Sequence, residues 1–345
     1  MNNLILVTVM GYPIYASAAT ITLGYLLCVL MTLVLYKKHH RSIAAVLALS
    51  VFGFVFGVVF SRFLHWYFNV ETYRSLLGAF TDFTVGSFCL PGMLLGVWLA
   101  AWLAKKAGLT ATVGELLDAA APGVALLIAF IRLSALFNTT CRSRILIKTP
   151  LLQHLPIASG TVDAAGNVTY RFATFFIEFL LMLAVTVVVL RFYGQKGRRR
   201  MKRGCARTGH TARLFTLLYA AVAIVMDSTR YDSPLMHFRL ISYLNQYSAF
   251  ISLAQIFAAF TCLGILIRYS RDSIRANGFR WYHPLVWLGF PVCLFGIGKL
   301  GEYNVQRYAT YLQCYGIMSM SCIVLVALIW TLYRSCVSER ELLRE

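Results

Sequence analysis

The sequence predicts an all-α fold, a polytopic integral membrane bundle of about nine transmembrane helices. Hydrophobic residues make up 59% of the 345 residues and charged residues only 13%, whereas soluble domains carry about a quarter charged residues. Apolar stretches of about 18 to 25 residues recur along the chain, which is the length that a helix needs to cross a bilayer. Because backbone groups in lipid must be satisfied within their own segment, we expect these stretches to be helices.

The individual spans follow from the apolar runs in chain order. The predicted spans are residues 15–36, 42–68, 84–104, 113–137, 172–192, 212–229, 246–268, 283–299 and 314–333. The longest connection opposite the C-terminal side is 138–171, which contains prolines and glycines and is expected to be a small extracytoplasmic arm. The last connection on that side is expected to be a loop with Glu302 and Arg307.

The basic residues predict the orientation. Most of the 32 Lys and Arg residues lie in connections that share a side with the C-terminus, above all between Arg191 and Arg213. Cytoplasmic loops carry the excess of Lys and Arg, so the N-terminus is expected outside and the C-terminus in the cytoplasm. The basic run 196–203 is expected to lie against anionic membrane lipids. The first apolar run lacks a basic flank, so the first helix is expected to be retained.

The net charge of +19 and the nine cysteines do not indicate further functions. The positive charge lies in the loops that flank membrane spans, so no nucleic acid partner is expected. The cysteines are scattered without any CxxC pair, which favours neither a zinc site nor a disulfide framework. No metal or organic cofactor is implied.

Some charged residues stand well inside apolar runs. Arg62 and Arg132 are functional candidates, because an arginine at the bilayer centre costs about 3 kcal/mol on insertion scales. The alternative is that each side chain snorkels to the interface. Glu178 also stands in an apolar run, and its simplest structural role is to pair with a buried arginine such as Arg132.

Several short motifs occur in order along these spans. Small residues precede Arg62 and aromatic residues follow it, and residues 88–96 read Phe-Cys-Leu-Pro-Gly-Met-Leu-Leu-Gly. Further motifs are 118–122 (Asp-Ala-Ala-Ala-Pro), 132–138 (Arg-Leu-Ser-Ala-Leu-Phe-Asn), 173–178 (Ala-Thr-Phe-Phe-Ile-Glu), 227–230 (Asp-Ser-Thr-Arg) and 252–255 (Ser-Leu-Ala-Gln). Together they resemble the prolipoprotein diacylglyceryl transferase family of bacterial inner-membrane enzymes, whose signature Gly-Arg-x-Gly-Asn-Phe-x-Asn shares its Arg and final Asn with 132–138.

The resemblance implies a family-like seven-helix body at 1–270 and an additional two-helix segment at 271–345. It also implies a reaction in the bacterial cytoplasmic membrane. The diacylglyceryl group of phosphatidylglycerol would move to the lipobox cysteine thiol of preprolipoproteins, with release of glycerol phosphate. The implied partners are therefore phosphatidylglycerol and preprolipoprotein signal segments.

The resemblance and the chemistry together suggest site residues. Arginines suit a phosphodiester because a guanidinium binds two phosphate oxygens and stays charged. The thiol must lose its proton to become a nucleophile, so a base is also needed. The catalytic candidates are Arg132, Glu178 and His65, and the substrate-binding candidates are Arg62, Asn138, Asp227, Arg230 and Asp118.

Three of these candidates have alternative explanations. His65 stands beside an aromatic residue typical of the interface, and Arg230 also suits a solvent-exposed loop. Asp118 equally suits the start of a helix, where an anion complements the helix dipole.

The departures from the family leave three interpretations open. The motif histidine of the family falls at 89–91, where this chain has Cys-Leu-Pro, and an essential arginine falls on Ala223. The chain is then either an active, divergent transferase or a catalytically lapsed homologue that binds phospholipid or lipoprotein precursors. An unrelated transporter is disfavoured, because the sequence has no paired broken helices and no hydropathy repeat.

Overall fold

The computed structural model describes residues 4–9, 12–38, 42–68, 75–81, 89–137, 143–162, 168–196, 208–230, 252–308 and 311–337. In chain order its elements are β1 (Ile5–Val9), β2 (Tyr12–Tyr15), α1 (Ala16–Lys37), α2 (Ile43–Phe68), α3 (Leu76–Thr81), α4 (Leu90–Lys106), α5 (Val113–Ser134), α6 (Pro150–Gln153), β3 (Ala158–Val162), β4 (Val168–Phe172), α7 (Thr174–Lys196), α8 (His210–Thr229), α9 (Leu253–Asn277), α10 (Tyr282–Phe295), a π-helix (Gly296–Tyr303), α11 (Asn304–Tyr308) and α12 (Tyr311–Ser335).

The long helices confirm the predicted class, a polytopic helical membrane bundle. Each predicted span overlaps one long helix, and residues 84–88 and 246–251 of two predicted spans lie outside the described residues. Among the described residues, seven helices are long and apolar enough to cross a membrane, namely α1, α2, α5, α7, α8, α10 with the π-helix, and α12. Of the other two, α4 has 17 residues and α9 continues to Asn277, beyond its predicted end at 268. The count of nine spans and the orientation stay predictions.

Two small antiparallel hairpins accompany the helices, and an all-α reading of the sequence did not predict them. Strands β1 and β2 pair just before α1, and β3 and β4 pair within the predicted arm. Each strand has four or five residues. An apolar-polar alternation over so few residues is too short to separate a strand from a loop.

Two hydrophobic clusters hold the helices together. The first joins α1, α2, α4, α5, α7 and α8 around buried residues such as Leu116, Ile128 and Met182. The second joins α7, α8 and α9 to α10 and α12, around Leu266 and Met318. The C-terminal helices therefore pack directly on α8 and α9. The predicted boundary near residue 270 falls inside α9, and the division into two parts stays a prediction.

Two glycines allow α2 and α4 to cross closely. A Cβ atom on Gly92 would lie 2.6 Å from the Phe60 carbonyl oxygen, and one on Gly96 would clash with the backbone of Gly57. Small residues four apart allow this kind of close helix packing in membranes. The crossing also lets the Ser61 hydroxyl donate to the Cys89 carbonyl at 2.9 Å, so the end of α2 lies against the start of α4.

Contacts between helix ends define one end of the bundle, which we call the site end. It comprises the C-terminal ends of α2, α5 and α8 and the N-terminal ends of α4, α7 and α9. Thr174 and Thr229, for example, share a hydrogen bond of 2.8 Å between α7 and α8. The predicted orientation would place the site end outside the cytoplasm.

Asp118 lies at the opposite end and does not begin a helix. Helix α5 begins earlier, at Val113, where Thr112 accepts a hydrogen bond from the Glu115 N–H. The buried Asp118 carboxylate instead accepts hydrogen bonds from the N–H groups of Gly209 (2.8 Å) and Ala212 (2.9 Å). The anion therefore complements the dipole of α8 rather than that of α5.

Candidate functional site

A buried ion pair lies at the centre of the site end. Arg132 in the last turn of α5 and Glu178 near the start of α7 meet with 2.7 Å between Nε and Oε1. Their side chains are 10% and 1% exposed, so neither snorkels to the surface in the bundle. The pairing predicted from the sequence is confirmed. The second carboxylate oxygen of Glu178, Oε2, is buried and has no hydrogen-bond partner among the described residues.

A second ion pair lies at the C-terminal end of α8. Nη1 of Arg230 lies 3.3 Å from Oδ1 of Asp227, and both side chains are mostly buried. Arg230 is therefore not a loop arginine in solvent. Its backbone pairs with Ser143 of the arm, and its carbonyl oxygen accepts from Nε and Nη2 of Arg144 at 3.3 and 3.2 Å.

Tyr219 lies within electrostatic range of both ion pairs, and it was not predicted from the sequence. This buried side chain lies within electrostatic range of Arg132, Glu178 and Asp227. Tyr219 and Asp227 are two turns apart on one face of α8, so a helical projection could have grouped them. Nothing else in the sequence indicates that this tyrosine, which stands in an apolar run, belongs to the site.

Tyr219 is also part of the wall of an apolar cavity of about 320 Å³. The other walls come from α4, α5, α8 and α9, with lining residues such as Leu94, Ala121, Ala223 and Phe257. The resemblance places an arginine of the family at Ala223, and in this chain the alanine leaves the wall apolar. The cavity is therefore a hydrocarbon-like space, and Tyr219 in its wall lies within electrostatic range of the charged residues.

Helix α2 brings Arg62 and His65 to the site end. The Arg62 side chain is only 1% exposed, so it is buried at the crossing of α2 and α4 and does not snorkel. His65 lies about one turn further along, half-buried and within electrostatic range of Arg62. Cys89 precedes α4, where the resemblance places the motif histidine of the family at 89–91, and it lies within electrostatic range of Asp227 on α8.

The remaining two candidates lie elsewhere. The contacts of Asp118 with the start of α8, at the other end of the bundle, favour a structural role, and its substrate-binding role stays a prediction. Asn138 lies outside the described residues.

The site end can hold an anionic group and accept a proton. Two arginines, each beside a carboxylate, supply positive charge in a region sheltered from water, where charges act strongly. Among the described residues, no group of three or more His, Cys, Asp or Glu side chains could hold a metal ion.

Comparison with known proteins identifies the family. The family described as prolipoprotein diacylglyceryl transferase matches residues 4–267, which includes every charged residue of the site end described above. A comparison with curated proteins finds no match. The match supports transferase function in lipoprotein biosynthesis, on lipoprotein precursors with a phospholipid donor, in a multi-pass membrane protein. This chain belongs to the prolipoprotein diacylglyceryl transferase family.

Proposed function

We propose that this chain transfers the diacylglyceryl group of phosphatidylglycerol to the lipobox cysteine thiol of preprolipoproteins. The observation that carries the proposal is the position of Tyr219, which lines the apolar cavity and lies within electrostatic range of Arg132 and Glu178. In the proposed complex the cavity receives part of the lipid's acyl chains, and the phosphate lies among the arginines. The proposed location is the bacterial cytoplasmic membrane, with the basic run 196–203 against anionic lipids.

Arg132 and Arg230 are the proposed phosphate ligands, with Arg62 in support. Guanidinium groups bind phosphate oxygens in pairs and keep their charge at any physiological pH. Glu178 and Asp227 hold the two arginines in place before the lipid arrives. The same positive charge stabilises the glycerol phosphate as its bond to the glyceryl carbon breaks.

Glu178 is the proposed base for the thiol. Oε1 is occupied by Arg132, whereas the buried Oε2 has no hydrogen-bond partner among the described residues. The thiol proton moves to Oε2, the sulfur forms its bond to the glyceryl carbon, and the carbon–oxygen bond to phosphate breaks. The products are a thioether and glycerol phosphate, which can take up the proton. His65 is the second candidate base, and it lies within electrostatic range of the buried Arg62.

One observation favours a lapsed homologue that binds phospholipid without turnover. The chain has Ala223 and Cys89 in regions where the family has an arginine and a histidine, and both lie at the site rather than away from it. Such a homologue keeps the two ion pairs and the cavity. Turnover is therefore the property that separates the two functions.

The test is glycerol phosphate release by the purified full chain in phosphatidylglycerol micelles with a lipobox peptide. We expect release by the unaltered protein and its loss in Arg132→Gln and in Glu178→Gln. The matched control is Arg334→Gln, which alters an exposed arginine in the last turn of α12, at the other end of the bundle. No release beside an active family enzyme would overturn the transferase proposal and favour the lapsed homologue.

A further inference from the structure

The last carbonyl groups of α8 receive hydrogen bonds from outside the helix. Such groups have no partner within their own helix. The Thr229 carbonyl accepts from the Ser143 hydroxyl at 2.9 Å, and the Arg230 carbonyl accepts from the Arg144 guanidinium. Both donors belong to the arm. This turn of α8 carries Asp227 and Arg230, so the donors fix the position of one charged pair of the site.

The carbonyl of Ser228, one residue before Thr229, accepts a hydrogen bond from a C-terminal helix. The Tyr315 hydroxyl of α12 donates to the Ser228 carbonyl oxygen at 3.2 Å. The Tyr315 side chain is half-buried and lies within electrostatic range of Arg144 of the arm and Glu302 of the π-helix. Tyr315 lies beyond residue 267, where the family match ends. A residue outside the family match therefore contacts the backbone of the site.

Glu302 provides a second link between the C-terminal helices and α8. Its side chain is buried, and its Oε2 accepts from Nε2 of Gln255 at 2.9 Å. The same Gln255 nitrogen donates to the Ile224 carbonyl of α8 at 3.2 Å. Glu302 lies in the π-helix rather than in the loop predicted from the sequence, and such helices occur often at functional sites.

We propose that Tyr315 and Glu302 are positioning residues of the transferase site. They hold the last turns of α8 so that Asp227 and Arg230 face the phosphate of the bound phospholipid. The inference rests on the proposed function for the identity of the ligand. It assigns the C-terminal segment a part in phospholipid binding, although that segment lies outside the family match.

Tyr315→Phe is the direct test, because it removes the hydroxyl and keeps the ring, which stacks on Tyr311. We expect KM for phosphatidylglycerol to rise about five-fold with kcat little changed, since one net hydrogen bond of about 1 kcal/mol is lost. The matched control is Tyr333→Phe, a buried tyrosine of the same helix that packs against Phe192 at the other end. Both variants are expected to unfold at nearly the temperature of the unaltered protein.

Glu302 is tested by a conservative and a disruptive change. Glu302→Gln keeps an oxygen acceptor for the Gln255 amide, so KM is expected to stay within about two-fold of the original value. Glu302→Leu removes the acceptor and is expected to raise KM at least as far as Tyr315→Phe. Equal KM values for the two Glu302 variants would overturn a positioning role for Glu302.

Two measurements that need no turnover separate this inference from the proposed function. Phosphatidylglycerol binding to the full chain is expected to weaken about five-fold in Tyr315→Phe, and amide hydrogen exchange is expected to quicken at 226–230. A protein that binds phosphatidylglycerol without turnover would overturn the transferase proposal alone. Identical binding and exchange in Tyr315→Phe and Tyr333→Phe would overturn the positioning role. Absence of phosphatidylglycerol binding by the unaltered protein would overturn both.

Discussion

The Arg132–Glu178 pair permits a test that separates stability from function. Removing one partner of a buried pair leaves a buried charge, at a cost of about 3–5 kcal/mol in the free energy of unfolding. Both side chains here are at least nine-tenths buried, so we expect that full cost from Glu178→Leu or Arg132→Met alone. The double variant removes both charges and is expected to recover most of the loss, because apolar residues of similar volume often replace such pairs without cost.

The assay compares all three variants for unfolding temperature in detergent and for glycerol phosphate release. The expected pattern is two destabilised single variants, a double variant close to the original unfolding temperature, and no release from any of them. The control is Arg334→Met, because Arg334 is exposed in the last turn of α12, at the other end of the bundle. A surface substitution usually changes the free energy of unfolding by no more than about 0.5 kcal/mol, so this variant is expected to unfold and react almost normally.

Two outcomes would refute this reasoning in different ways. Destabilisation in the double variant equal to the sum of the single effects would show that the two side chains do not stabilise each other. A double variant that is both stable and active would show that the pair is structural and that the phosphate and proton roles belong to other residues.

The remaining predictions concern the capping carboxylate and the close helix crossing. Asp118→Ala leaves the N–H groups of Gly209 and Ala212 without their acceptor, and we expect a loss of about 2 kcal/mol in unfolding free energy with KM unchanged in the folded fraction. A raised KM with unchanged stability would instead support a substrate-binding role for Asp118. Gly96→Leu forces α4 away from Gly57 of α2, so it should lower both the unfolding temperature and the rate of glycerol phosphate release. Normal values for both would contradict the close packing of α2 on α4.

The helices could be predicted from the sequence because each long apolar run is itself a strong signal. The pairing of Arg132 with Glu178 was also predictable, since a charge in an apolar run needs a partner. The partners of Asp118 were not predictable, because they are backbone groups of another helix distant in sequence. The same holds for Tyr315, whose hydroxyl meets a carbonyl of α8, and for the π-helix, whose residues were predicted partly as the end of a span and partly as a loop. These contacts depend on how helices pack, and an apolar pattern alone does not specify that packing.

The contacts of α5 also have a consequence for the order in which the chain is made. Its two inward charges, Asp118 and Arg132, find the partners described here only in later parts of the chain: Glu178 of α7, and Gly209 and Ala212 at the start of α8. During synthesis α5 therefore enters the bilayer before those partners exist, carrying charges that lipid disfavours. We expect the insertion machinery to retain α5 until α8 has emerged from the ribosome, so that the centre of the bundle assembles late and in one step.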